Sequence, residues 1–359
     1  MSNGLDDVIA ARTELSDVDG LAGRLVIRGR PLEAIAGRYR YEDGLALLWG
    51  SFFADLPNDL TGPLADARET VFEAMQPRLS AAVGLPVYDG MRLLLAALPD
   101  GDDLDAALQL AAAPGVLLPA LLRAAEARAP IAPRRDLAHA ADMVRMLTET
   151  TSSARAAALD TYLVTVIDHG LNASTFTARV VASTGAGLTS SVLAALGALK
   201  GPLHGGAPGP VLDMLDAVGT AENAAPWIDN ELQAGHRLMG FGHRIYRVRD
   251  PRADALNAAI QRLAAGGDVD TARLALAAEV EREALAALAR HKPDRPLQTN
   301  VEFYTALLLD ALGFPRDTFT AVFAAGRVGG WIAHAREQAA TGRLIRPRSL
   351  YIGPEPEAA

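Results

Sequence analysis

The chain has no cysteine among its 359 residues, which excludes disulfides, thiolate metal sites and a cysteine nucleophile together. It is poor in aromatics, at 5%, and lacks any excess of basic charge: 34 lysines and arginines stand against 43 aspartates and glutamates, a formal net charge of −9. A chain of that sign is not built to lie on nucleic acid or on an anionic membrane surface, and neither partner is expected. Anionic small molecules remain admissible where arginines gather locally. No uninterrupted apolar run reads as long enough to span a bilayer. The opening MSNGLDDVIAARTELSDVDG has neither the basic nor the apolar segment of a signal peptide. These absences lead to the expectation of a cytoplasmic protein, with length enough for one large or two smaller cores.

What the sequence does have is helical periodicity. DLAHAADMVRMLTE (136–149) sets Leu137, Ala140, Ala141, Val144 and Leu147 on one stripe. TARLALAAEVEREALAALARH (271–291) reads as a long amphipathic helix capped by Asp270 or Thr271, and NVEFYTALLLDALGFP (300–315) as a helix starting at an Asn cap and ending at Gly313. Strand signals are few, RLVIRG (24–29) and SLYIG (349–353) being the best. The expectation is a mostly α-helical protein of roughly 15 to 20 helices, at a mean of about 11–12 residues each. No fixed-period repeat is present.

Three segments carry side chains fit for chemistry. VIDHGLNASTFTARV (166–180) places His169 just ahead of Asn172, Ser174 and Thr175, a cluster that reads either as a helix cap or as part of a binding site. GPLHGGAPGP (201–210) isolates His204 among glycines and prolines, either a plain turn or a backbone cleared for a ligand. The helical stretch after it, PVLDMLDAVG, puts His204 near a helix N-terminus, where the dipole disfavours imidazolium. A neutral imidazole can donate a hydrogen bond to a developing enolate oxygen. RLMGFGHRIYRVRDPRADAL (237–256) holds His243 and five arginines, Arg237, Arg244, Arg247, Arg249 and Arg252, a local exception in an acidic chain. Guanidinium forks bind carboxylates and phosphates, and the glycines of GFG let the backbone close on a ligand.

In order and spacing these segments, with NVEFYTALLLDALGFPRDTFTAVFAAGRVGGWIAHAREQ (300–338) and RLIRPRSLYIGP (343–354), resemble citrate synthases of the compact bacterial and archaeal type over nearly the whole chain. The resemblance implies an all-α fold with a large helical domain (1–206 and 313–359) and a smaller helical lid domain (207–312) that carries CoA binding and catalysis. It implies condensation of acetyl-CoA with oxaloacetate to citrate and CoA. No metal and no cofactor beyond the CoA thioester substrate is implied, and the protein would be a homodimer.

Carried over residue by residue, His204 assists enolisation of the acyl-CoA, His243 contacts the ketone oxygen of oxaloacetate, and His169 also binds oxaloacetate. Arg252, Arg327 and Arg346 hold its carboxylates, Arg346 coming from the other subunit. Arg247 and Lys200 are weaker candidates for the CoA phosphates. The family's general base is the aspartate of NVDF; here the stretch is NVEF, giving Glu302, one methylene longer. A second departure is LPVYDGMRLLLAALPD (85–100), which lacks the histidine of the family's HPM segment. Two further readings stay open: a 2-methylcitrate synthase using propionyl-CoA, and a paralogue of low activity that binds CoA or oxaloacetate.

Overall fold

The computed structural model describes residues 4–5, 8–205, 208–242, 245–246, 248–267, 269–293 and 297–354. Among the described residues there are fifteen α-helices and one small sheet, an all-α fold as expected. The chain opens with β1 (Ser16–Asp19), β2 (Arg24–Ile27) and β3 (Arg30–Pro31), antiparallel in the order β1-β2-β3, with Ser16 opposite Ile27 and Asp19 opposite Arg24. Nine helices follow: α1 (Leu32–Ile35), α2 (Tyr41–Trp49), α3 (Thr61–Met75), α4 (Val87–Leu95), α5 (Leu104–Ala125), α6 (His139–Thr148), α7 (Ser153–Thr165), α8 (Ala173–Ala182) and α9 (Leu188–Leu199). Then come α10 (Gly209–Val218), α11 (Ala224–Gln233), α12 (Pro251–Ala265), α13 (Thr271–His291), α14 (Val301–Ala311) and α15 (Phe319–Thr341).

The caps form where the sequence puts them. Asp270 accepts the amides of Ala272 and Arg273, Asn300 accepts that of Glu302 at 2.9 Å, and Gly313 closes α14 at φ 88°. Three readings are corrected. SLYIG is exposed irregular chain, not a strand: Leu350, Tyr351 and Ile352 have no sheet to pack on, and β2 pairs instead with the acidic SDVD of β1. The stripe on α6 is only half right. Ala140 and Val144 are buried, but so are Met143, Met146, His139 and Asp142, the last because it pairs with buried Arg68 at 3.1 Å. Finally, α5 is long and apolar enough to cross a membrane by length and composition, contrary to expectation; 78% of that window is buried inside the protein, which makes it a core helix here.

Helix α15 is the axis on which the site is built. It packs against α2, α4, α5, α7, α8 and α9, with Trp331 and Ile332 fully buried. Its small residues permit that closeness. A Cβ on Gly326 would lie 2.5 Å from Val166 Cγ2, and Cβ atoms on Gly329 and Gly330 would overlap Leu45 and the Ile167 carbonyl. The segment leaving α7, Val166 to His169, therefore lies directly on α15. On the far side α10, α11, α13 and α14 pack among themselves, and α12 contacts both α7 and α14.

Candidate active site

A cavity of about 1040 Å³ opens where the exit of α7, the start of α8, the turn before α10, the start of α14 and one face of α15 converge. His169, His204, Arg252, Glu302 and Arg327 all line it. His243 and Arg247 lie outside the described residues. Lys200 does not line the cavity; it is exposed at the end of α9 and paired with Asp89 at 2.7 Å. Arg346 is likewise exposed and away from the cavity of its own chain.

His204 sits in the turn between α9 and α10. Its Nε2 lies 3.3 Å from the Ser174 backbone N–H and 2.8 Å from Ser174 Oγ. An amide only donates, so Nε2 is the acceptor and the ring proton belongs on Nδ1. Burial, with the Arg327 charge adding to it, pulls the imidazole down to about 4, so the ring is neutral at pH 7. The neutrality predicted from sequence is there, but its source is different. The helix N-terminus that meets His204 is that of α8, which begins after His169, not that of α10, which follows His204. Ser174 is in turn fixed by two neighbours: its hydroxyl is 2.8 Å from Asn172 Oδ1 and accepts Trp331 Nε1–H at 3.2 Å. The Asn172–Ser174–Thr175 cluster is thus both cap and site, since Asn172 also accepts the amide of Thr175 at 3.1 Å.

Glu302 stands in the first turn of α14. That turn is tied to the GFG segment: Asn300 N–H donates to Gly240 O at 2.9 Å, Gly242 N–H to Gln298 O at 2.7 Å, and Asn300 Nδ2 to Gly242 O at 2.8 Å. The glycines serve this pairing. Gly240 and Gly242 have φ 83° and 81°, and a Cβ on Gly240 would lie 2.9 Å from Phe303. The Glu302 carboxylate is largely buried and makes no hydrogen bond or ion pair among the described residues. Burial raises its pKa, and Arg252 only partly opposes this. A carboxylate with a raised pKa and no partner is equipped to take a proton.

The two arginines of the cavity differ. Arg252, on α12, is gripped by Asp250, with Nε 3.0 Å from Oδ1 and Nη2 2.8 Å from Oδ2. Burial lowers its pKa, but Asp250 outweighs that and the balance is upward. Arg327, on α15, is 2% exposed and has no ion pair among the described residues. Its Nε donates to Val166 O at 2.5 Å and its guanidinium lies 4.6 Å from the centre of the Phe323 ring. Burial pushes it down to about 10 despite the charge of Asp168. A buried cation without a carboxylate of its own is an incomplete pair, and it faces the cavity. His169 completes the set, with Nε2 3.1 Å from Tyr246 Oη.

Trp331, Asp250 and Tyr246 are not legible as site residues in the sequence, and Ser174 is legible only as part of the polar cluster after His169. Asp250 leaves a local signal as the cap of DPRA, whereas Trp331 and Tyr246 act across long stretches of chain. Among the described residues no group of three or more His, Cys, Asp or Glu could hold a metal ion. Taken together, the cavity offers a carboxylate of raised pKa without a partner among the described residues, a neutral imidazole with a donor to spare, and guanidinium charge for an anion. That is equipment for removing a proton beside a carbonyl.

The citrate synthase, C-terminal domain family model matches residues 4–348. A Mycobacterium tuberculosis protein provisionally named citrate synthase 2 is 39% identical over 99% of this chain and 94% of its own. The citrate synthase of Haloferax volcanii is 35% identical over 98% and 96%. The crystal structure of citrate synthase from Thermotoga maritima superposes with a TM-score of 0.85 at 32% identity, covering 100% of this chain and 98% of that one. Citrate synthase from Thermoplasma acidophilum, in ternary complex with carboxymethyl coenzyme A and oxaloacetate, gives 0.84 at 26%, covering 99% and 97%. The chain belongs to the citrate synthase family and is an enzyme of acyl-CoA condensation, a transferase.

Proposed function

We propose that the protein condenses acetyl-CoA with oxaloacetate, giving citrate and CoA. The observation that carries this reading is the convergence of Glu302, His204, Arg252 and Arg327 on one cavity. Glu302 takes a proton from the acyl methyl group. Charge developing on the thioester oxygen is met by the Nδ1–H of His204, whose Nε2 is already committed to Ser174. The enol carbon attacks the ketone carbon of oxaloacetate, forming the new C–C bond, and the ketone oxygen takes up a proton. Water then cleaves the citryl thioester and releases CoA. Arg252, Arg327 and His169 hold the dicarboxylate, joined by His243 and by Arg346 of a second subunit in a homodimer. The part from 207 to 312 closes over the part formed by 1–206 and 313–359 and shields the enol from water. Lys200 and Arg247 are the candidates for the CoA phosphates.

Support for these substrates comes from the Thermoplasma complex, which holds a CoA analogue and oxaloacetate. The preference for acetyl over propionyl rests on Glu302, which reaches one methylene further into the cavity than aspartate. Bulk there disfavours an extra methyl group by about 1–3 kcal/mol. Thiol release measured with oxaloacetate and each acyl-CoA tests both points. The expected result is a higher kcat/KM with acetyl-CoA. A higher value with propionyl-CoA makes the protein a 2-methylcitrate synthase. Thermal stabilisation by oxaloacetate without thiol release makes it a binding paralogue.

A further inference from the structure

The amino-terminal hairpin of β1 and β2 touches both segments that meet at His169, although Ser16, Gly20 and Gly23 do not line the cavity. On one side Ser16 Oγ donates to Asp168 Oδ2 at 2.5 Å and accepts the Gly170 N–H at 2.8 Å. One hydroxyl thus straps the residues before and after His169. The strap is anchored in the core, since Asp168 is fully buried and His334 Nε2 lies 3.3 Å from the same oxygen.

On the other side the hairpin turn runs along the loop that leads into α12. A Cβ on Gly20 would overlap the Ile245 carbonyl oxygen, and one on Gly23 would lie 2.7 Å from Val248 Cγ2. Between those two contacts stands Tyr246, whose hydroxyl is 3.1 Å from His169 Nε2 and whose ring centre is 5.5 Å from the Arg252 guanidinium. A hydrogen bond tolerates only a few tenths of an ångström, so the two backbones must be held at a set spacing. The hairpin is in contact with both. A hairpin that merely covered the core would act through Leu25 and Ile27, which are fully buried. It would need neither the Ser16 strap nor a glycine against Ile245.

We propose that the β1–β2 hairpin is a positioning element for the keto-acid half of the site. Ser16 and Gly20 set the spacing between the His169 turn and the Tyr246 loop, and so the direction in which His169 meets oxaloacetate. The inference rests on the oxaloacetate reading above. The test measures oxaloacetate binding by calorimetry without acyl-CoA, and the KM for acyl-CoA at saturating oxaloacetate. Ser16→Ala is expected to weaken oxaloacetate binding by about tenfold, and Gly20→Ala by at least as much, with the acyl-CoA KM unmoved. Ser16→Thr, which keeps the hydroxyl, restores binding to within about threefold. Should Ser16→Ala not fold, Gly20→Ala decides. Variants that melt earlier yet bind oxaloacetate like the wild type overturn the proposal. A wild-type protein that does not bind oxaloacetate refutes the keto-acid reading, and this inference with it.

Discussion

Arg68, Arg179 and Arg327 are almost wholly buried, and one substitution should affect Arg179 and Arg327 very differently. Arg68 pairs with Asp142 at 3.1 Å, and Arg179 with Glu337 at 2.5 Å and Gln338 at 3.1 Å. Arg327 has no such partner among the described residues. Replacing Arg179 by methionine leaves a buried carboxylate uncompensated, which costs about 3–5 kcal/mol. For Arg327 the balance is different. Holding its pKa near 10 instead of 12.5 costs the charged form about 3 kcal/mol. Its hydrogen bond to Val166 O returns about 1.5–3 kcal/mol. The Phe323 contact returns about 1–2 kcal/mol. These nearly cancel, so Arg327→Met should leave the ligand-free protein within about 1.5 kcal/mol of wild type. Urea denaturation at one fixed protein concentration compares the two variants. Oxaloacetate at about 100 times its Kd should add about 2.7 kcal/mol to the wild type and nothing measurable to Arg327→Met. If Arg327→Met loses as much ligand-free stability as Arg179→Met, Arg327 is a structural cation and its assignment to a substrate carboxylate fails.

Glu302→Asp should lower turnover by about 10²-fold, because the carboxylate retreats by on the order of 1 Å, while Glu302→Gln should lose more; a gain with aspartate would mean that the native base is misplaced. Because burial raises the Glu302 pKa, the acidic limb of kcat/KM should lie above the ordinary glutamate range and vanish in Glu302→Gln. The stability sign is opposite to that of a salt-bridged carboxylate: ionising Glu302 costs stability as pH rises from its unfolded pKa through its folded one, a slope the glutamine variant should lack. For His204, nitrogen NMR should find the proton on Nδ1 and titration near pH 4; a protonated Nε2 at pH 7 would contradict the Ser174 contact. Arg346 should act in trans: Arg346→Ala and His204→Ala, each inactive alone, should recover about a quarter of wild-type activity when mixed dimers form, and a monomer by sedimentation would remove that role.

How much of this was legible in the chain depends on the range of the interaction. Helices α13 and α14, their caps and the glycine after α14 were readable because capping acts within three or four residues. The motifs around His169, His204, Arg252, Glu302 and Arg327 were readable as motifs, and the fold does bring those five to one cavity. Their supports were not readable. Ser16 reaches Asp168 across 152 positions, Trp331 reaches Ser174 across 157, and Arg179 reaches Glu337 across 158. No local period encodes such pairings. The polar residues of α6 show the same thing from the other side: Asp142 lies off the apolar stripe read from the sequence, yet it is buried beside His139, Met143 and Met146, where Arg68 reaches it from α3.

The glycines make the sharper point, because the structure gives them a packing role that the sequence did not show. GPLHGGAPGP and GFGH suggested space cleared for a substrate. At Gly205 a Cβ would overlap the carbonyl oxygen of Leu199, and Thr320 Oγ1 donates to the Gly205 carbonyl at 2.7 Å. At Gly240 the obstacle is Phe303, next to Glu302. In both turns the missing side chain lets a helix end come close: the end of α9 beside His204, and the start of α14 beside Gly240. That closeness is what sets the imidazole and the carboxylate on the walls of one cavity. Gly205→Ala and Gly240→Ala should therefore impair turnover with a small substrate as much as with a bulky one, since the damage is to the placement of His204 and Glu302. A loss graded by the size of the acyl group would instead restore the view that these glycines make room for the ligand.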